Sequence, residues 1–565
     1  MRKLHASEFR GHLPLFIKNF LSDRTFQTKI DNTYSTTYKL EEGIPQGSVL
    51  SCTLFALAIN DIVEQLPVRV KNSLYVDDFA IYYTARSLRH AERVINIAIT
   101  NITSWANSVG FRFSVEKTKA VVFYRDKRWL QGQSLDLRLY NSQISICDNI
   151  KFLGVYFDSH LNWKKHLAYV KAKALKATDI LKKLSHTTWG ARRQTMYMIY
   201  KATVLSILDY CCPIYGSASE AVSKSLDLVH HQGIRLCTGA FRSSPTVSIL
   251  AEAGLLPLTL RRNLITLQRG FSLLASSSPA SDCFKLNDCF DQTGHTPSFP
   301  VRALRLMNTF NIVPTYLVNN QVIPPWILNR TNICTKLSYL LKRDQTNPAI
   351  LRQHALEHIR RKGNTYIIYT DGSKSNTGVG AASVFPDSVT KIGLPLNTSV
   401  FTAELSALEA ALGSISSANV KSVTIFSDSR SALDAINQFS PKNHLVRNIQ
   451  QKIHQIITSG CKIEICWIPA HIGIKGNEEA DQAAKEASSL NITVKEIPIG
   501  DWISSAKPLI FQDWQTKWES QPLTNKLRSI KPTIHYWPTS SQNSRQVEVI
   551  LTRLRIGHTS LLMDI

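Results

Sequence analysis

The sequence predicts a multidomain protein of mixed α+β and α/β class, in which a region of alternating strands and helices follows a long helical region. Three observations carry this expectation. A length of 565 residues exceeds what one core fills, and 44% hydrophobic residues mark the chain as globular. Residues 159–270 place apolar side chains at helical spacing. Residues 363–490 alternate short β-rich runs with helical runs. The expected divisions are 1–158, 159–270, 271–362, 363–490 and 491–565. Lys and Arg total 66 against 42 acids, a net charge of +24 in a chain with only 19% charged residues. So one-sided an excess implies a polyanionic partner whose phosphates dominate affinity. The ten cysteines include no Cys-x-x-Cys pair, which argues against zinc sites and a disulfide framework and suits a reducing compartment. The sequence has no apolar run of about 18 residues, and its first residues lack a signal-peptide core. The expectation is a cytoplasmic or nuclear protein without a membrane partner.

From the start of the chain, residues 12–22 read as a short amphipathic helix, and Phe26–Ile30 with Thr36–Leu40 as a hairpin around Asp31-Asn32. In Glu42-Gly-Ile-Pro-Gln46-Gly47-Ser48, Gly and Pro break the chain before a helix through Leu54, Phe55, Leu57 and Ile59, whose N-terminus could face an anion. Leu74-Tyr75-Val-Asp77-Asp78-Phe-Ala-Ile-Tyr-Tyr83 reads as a hairpin carrying two carboxylates at its tip. Taken alone, a tip Asp-Asp is ordinary turn chemistry. Together with the Gly-Ile-Pro-Gln-Gly-Ser stretch, and with Gly110-Phe-Arg-Phe-Ser and Phe152-Leu-Gly-Val following in order, the region resembles a reverse transcriptase palm of jockey-like non-LTR retrotransposons. The resemblance implies that Asp77 and Asp78 ligate catalytic Mg²⁺, and that Gln46, Gly47 and Tyr75 face template and incoming nucleotide. That family also places a metal-binding Asp upstream, at a strand end. Only Asp23 and Asp31 precede Gly43, and neither has that setting. The resemblance thus implies a partial palm from a truncated copy, which would not polymerise DNA by itself.

Beyond Leu161, the residues Leu167, Val170, Ala174, Ala177, Leu181 and Leu184 fall on one helix face, and seven lysines between Lys164 and Lys183 take the rest. This is either a solvated face or, after a palm, a thumb-like rail for phosphates. Thr195–Tyr210 is apolar nearly all round and is expected to be buried; 225–270 adds further helix. Composition shifts at Ser276-Ser-Ser-Pro, and prolines recur to Pro325, so 271–362 reads as a connection with little core of its own, closed by a helix at about 349–362. The tail, 491–565, carries Trp502, Trp514 and Trp518 on one helix and Arg545, Arg553 and Arg555 on another.

Four carboxylates organise 363–490. Asp371 ends the apolar run Tyr366-Ile-Ile-Tyr-Thr, and Glu404 sits on the first turn of a helix with Ala403, Leu405, Leu408 and Leu412. Asp428 follows the strand Val423-Thr-Ile-Phe-Ser, and Asp481 lies at the start of a helix in Gly476-Asn-Glu-Glu-Ala-Asp. Converging carboxylates repel one another unless a cation holds them, and hard oxygen ligands suit two Mg²⁺ ions about 3.5–4 Å apart, with Mn²⁺ as a substitute. These motifs, with Ala470-His471-Ile-Gly between strand and last helix, resemble type 1 ribonuclease H in order and spacing. The resemblance implies a mixed five-stranded sheet, hydrolysis of the RNA strand of an RNA–DNA hybrid, and His471 assisting proton transfer or product departure. Partners would be the hybrid and the element RNA. A rival reading is a catalytically silent or domesticated nucleic-acid-binding protein. The presence of all five positions argues against it.

Overall fold

The computed structural model describes residues 2–124, 134–276, 278–289, 297–312, 315, 323–337, 346–363, 365–415 and 420–557. The chain divides into two compact units, Met1–Ala168 and Tyr169–Ile565.

In the first unit, helix α1 (His12–Leu21) precedes two short antiparallel ladders, Thr25–Phe26 with Tyr38–Lys39 and Lys29–Ile30 with Thr33–Tyr34. They form the expected hairpin, turning at Asp31 with φ of 53°. Helix α2 (Val49–Ile59) follows the Gly-Pro loop. Strands β1 (Lys71–Tyr75) and β2 (Asp78–Tyr82) pair antiparallel from Lys71↔Tyr82 to Tyr75↔Asp78. Leu74 and Phe79 pack this ribbon on Ile59, Ile62 and Ile102, the last from helix α3 (Leu88–Val109). Among the described residues every ladder of this unit is two-stranded, so its core comes chiefly from helices.

The division falls within helix α4 (Lys164–Leu184), whose Leu167, Val170, Ala174 and Leu181 are buried while most of its lysines face solvent. The expectation for Thr195–Tyr210 is corrected. Met196, Tyr197, Tyr200, Val204 and Leu208 are buried, but Thr195, Met198, Ser206 and Tyr210 are exposed, so the segment is amphipathic. Its regularity breaks in a π-turn at Lys201–Leu205, which shifts the apolar stripe and explains why the run looks apolar all round on a plain helical period. Helices α5 (Glu220–Thr238) and α6 (Leu258–Leu274) follow, then α7 (Phe299–Thr309). A Cβ on Gly270 of α6 would lie 2.9 Å from the Met307 methyl and 3.0 Å from Ala303, so glycine sets the close crossing of α6 and α7.

The second unit holds a six-stranded sheet. From one edge it runs β3 (Asn332–Cys334), β8 (Lys462–Trp467), β7 (Ser422–Ser427), β4 (Tyr366–Lys374), β5 (Val379–Val384), β6 (Val389–Leu394). The first four are parallel, and β5 runs antiparallel to both of its neighbours, β4 and β6. The expected five strands are present, and β3, from upstream of residue 363, adds a sixth. Alternation sorts the faces. Ile368, Ile425 and Ile465 pack with helices α9 (Val400–Ile415) and α10 (His444–Thr458), whereas Phe426 and Cys466 pack with helix α8 (Pro348–Arg360). Helix α11 (Lys475–Ala487) lies so close to β5 that a Cβ on Gly380 would sit 2.3 Å from the Ala484 carbonyl oxygen. The tail then returns to the helices. On α12 (Ile499–Glu519), Trp502, Trp514 and Trp518 are buried, Trp502 beside Phe271. On α13 (Arg545–Ile556), the Arg545 guanidinium donates to the Leu236 and Cys237 carbonyls that end α5. Arg193 is likewise buried, donating to Glu252 at 2.8 Å.

Candidate active site

Strands β4 and β7 are paired in parallel from Tyr366↔Val423 to Thr370↔Ser427. Asp371 and Asp428 are each the next residue, so the register alone brings these two carboxylates together at one end of the sheet. Asp428 lies just past its strand, as expected. Asp371 does not end its strand, because β4 continues to Lys374 by pairing with β5. Glu404 arrives from α9, which begins at Val400; it therefore opens the second turn, not the first. A Cβ on Gly372 would lie 2.4 Å from the Glu404 backbone nitrogen and 2.6 Å from the Ala403 carbonyl carbon. Only a residue without a side chain lets the helix rest on the strand at that point, and that contact delivers the third carboxylate.

One oxygen from each of Asp371, Glu404 and Asp428 lies within 4.8 Å of the other two. Asp371 and Glu404 are buried and Asp428 is half-buried. Burial, then the neighbouring charges of Asp428 and Asp481, pushes Asp371 up to about 7. Burial, then Asp371 and Asp428, holds Glu404 well above the usual carboxylate range. Asp428 is also raised by burial, but less freely, because the Asn477 amide and the charge of His471 favour its ionised form. Glu404 Oε2 is buried without a hydrogen-bond partner. An orphaned carboxylate oxygen inside a ring of mutually repelling acids is the environment a hard cation satisfies, so the donor set fits a divalent ion.

Asp481 is midway along α11 instead of at its start, and it stands beside this trio, not within it. Its carboxylate accepts from Lys485 Nζ at 2.6 Å. His471 is exposed in the loop before α11, with φ of 53°. Two contacts were not foreseen. Asn477, buried on α11, donates from Nδ2 to Asp428 Oδ2 at 3.1 Å, and Trp467 Nε1 donates to the Asp428 carbonyl at 2.9 Å. Asn477 stands four residues before Asp481, one helical turn on the same face, so the spacing was available as a signal.

The first unit's residues have a different setting. Tyr75, Asp77 and Asp78 are exposed at the β1–β2 turn, and Gln46 and Gly47 are exposed in the loop before α2, where Gly47 has φ of 90°. Among the described residues Asp77 and Asp78 join no third His, Cys, Asp or Glu in a group that could hold a metal. No described helix is long and apolar enough to cross a membrane.

Comparison with known proteins matches two separate segments of the chain. Residues 363–489 match the family model for RNase H, and residues 1–157 match that for reverse transcriptase (RNA-dependent DNA polymerase). The RNA-directed DNA polymerase from mobile element jockey of Drosophila melanogaster is 25% identical over 242 residues, covering 41% of this chain and 26% of that protein. A retrovirus-related Pol polyprotein from type-1 retrotransposable element R1 2 of Nasonia vitripennis is 25% identical over 245 residues, covering 41% and 58%. A solved RNase H1 from the archaeon Halobacterium salinarum is 21% identical with a TM-score of 0.18, covering 22% of this chain and 97% of that one. The chain thus spans about a quarter of the jockey protein and over half of the R1 protein. It carries a reverse transcriptase segment toward its N-terminus and an RNase H domain toward its C-terminus, and its relatives are the reverse transcriptases of jockey- and R1-type non-LTR retrotransposons.

Proposed function

We propose that the second unit hydrolyses the RNA strand of an RNA–DNA hybrid, with Asp371, Glu404 and Asp428 holding Mg²⁺ and Asp481 completing its surroundings. The observation that carries this reading is the convergence of those three carboxylates from two parallel strands and one helix within 4.8 Å. Mg²⁺ held there supplies Lewis-acid stabilisation of charge developing on the phosphodiester oxygens. The chain's own residues do the positioning. Asn477 and Trp467 fix Asp428 from its side chain and its backbone, which locks the direction of its oxygens. The Lys485 ammonium donates to the Asp481 carboxylate beside the group. His471, exposed at the mouth, can take up or release a proton on its ring nitrogen as the scissile oxygen leaves. The lysine-bearing face of α4 suits a phosphate track. Asp77 and Asp78 are exposed and, among the described residues, join no third ligand, so the proposal rests on the second unit alone.

The test is cleavage of a hybrid labelled on each strand by the full 565-residue chain with Mg²⁺. The expected result is loss of the RNA label with the DNA intact, abolished by Asp371→Asn. RNA cleavage that survives both Asp371→Asn and Asp428→Asn would place the chemistry elsewhere.

A further inference from the structure

A second ligand-bearing cluster lies on the sheet outside the carboxylate group. Cys334 on the edge strand β3 and Cys466 on β8 are register partners in the parallel ladder, so their thiols leave the same face side by side. Helix α8 crosses that face and brings His358, whose ring stands edge-on to Phe426 with centroids 6.4 Å apart. The two sulfurs and an imidazole nitrogen all lie within 4.8 Å of one another. Cys334 is 8% exposed and Cys466 fully buried. His358 Nε2 is buried too, and nothing donates to it or accepts from it. Leu337, Ala355, Ile468 and Ile474 pack around it, with the Lys362–Glu464 ion pair close by.

An imidazole nitrogen sealed away with no partner carries a desolvation cost and calls for an explanation. A disulfide between the two cysteines would leave that nitrogen orphaned. A soft cation would satisfy all three atoms, and two thiolates with one imidazole are the donors that select Zn²⁺ over Mg²⁺. With Zn–S near 2.3 Å, a tetrahedral ion asks for ligand atoms roughly 3.5–4 Å apart, which small side-chain rotations reach from the present spacing.

We propose that Cys334, His358 and Cys466 form a structural Zn²⁺ site that staples β3 and α8, both upstream of the RNase H match, onto the central sheet. Binding would release the two thiol protons to solvent, and these three donors would fill three of the ion's four positions. The sequence argued against zinc because no two cysteines form a Cys-x-x-Cys pair; the sheet register makes Cys334 and Cys466 neighbours.

The probe is Co²⁺ added to the full-length chain after chelator treatment under reducing conditions. One equivalent should produce a thiolate-to-cobalt charge-transfer band, bleached by Zn²⁺ and unchanged in Asp371→Asn, since carboxylate ligands give no such band. Cys334→Ser, at the sheet edge, should abolish the band, and His358→Gln should weaken binding and alter the visible spectrum. Folding of the variants is confirmed by circular dichroism before titration. Absence of a charge-transfer band in the wild-type chain, or the same band in folded Cys334→Ser, would overturn the proposal.

Discussion

Asp77 and Asp78 stand in solvent at the tip of a two-stranded ribbon, whereas Asp371, Glu404 and Asp428 are gathered where two parallel strands and a helix meet. On sequence both sets have the same standing: carboxylates at the ends of apolar runs, inside a recognisable motif. The difference lies in what surrounds them. The first pair has a turn with Val76 at φ of 55°, a conformation that costs a β-branched residue, and no third ligand among the described residues. The second group has Gly372 to admit the helix, Asn477 and Trp467 to aim Asp428, and burial that makes uncompensated charge costly. Ligands become a site when a supporting shell removes their freedom.

Exchange of function between the two groups is the strongest way to break this comparison. Asp428→Asn should lower hybrid hydrolysis by at least about a hundredfold, since a ligand and its charge are lost at once, while Asp77→Asn should leave the rate unchanged. Equal losses in the two variants would show that the hairpin acts in the same chemistry. Gly372→Ala comes next. Its methyl meets the backbone of Ala403 and Glu404, so α9 must move; overpacking of this kind costs about 1–3 kcal/mol, and activity should fall together with thermal stability. Asn477→Ala sharpens the account, because it removes no metal ligand. A loss of about 10–100-fold with little change in melting temperature is expected, and wild-type activity would deny Asn477 a positioning role.

The smallest effect is on stability. Asp371 is raised from 3.8 to about 7, and Glu404 and Asp428 shift the same way. Between those values the folded state holds protons that the unfolded chain has released, so this contribution is present at low pH and lost as pH rises through about 7. Metal-free protein should therefore lose stability over that window, and less so in Asp371→Asn. An identical pH profile for wild type and variant would remove the electrostatic conflict on which the cation argument rests.

Much of this arrangement was legible in the residues. The alternation of strand and helix through 363–490, the hairpins, and the helix from Lys164 follow from periodicity and turn chemistry, which are local. Asp371, Glu404 and Asp428 could be nominated because each sits beside an apolar run whose type is clear. Register was not legible. Nothing local says that Thr370 pairs with Ser427, or that Cys334 pairs with Cys466; both depend on the order of strands in the finished sheet. The bounds of α9 and α11, which moved Glu404 and Asp481 off the first turn, also depend on packing against β4 and β5 more than on caps. The recruitment of β3 could not be foreseen for the same reason: three residues carry too little pattern to mark a strand.

Divalent-metal binding by the full chain tests the central claim most directly. Mn²⁺ added to the protein and followed by its electron paramagnetic resonance signal reports bound against free ion without requiring turnover. Binding at the carboxylate group should persist in Asp77→Asn/Asp78→Asn and vanish in Asp371→Asn/Asp428→Asn. Binding that survives the second double substitution and disappears in the first would contradict the account.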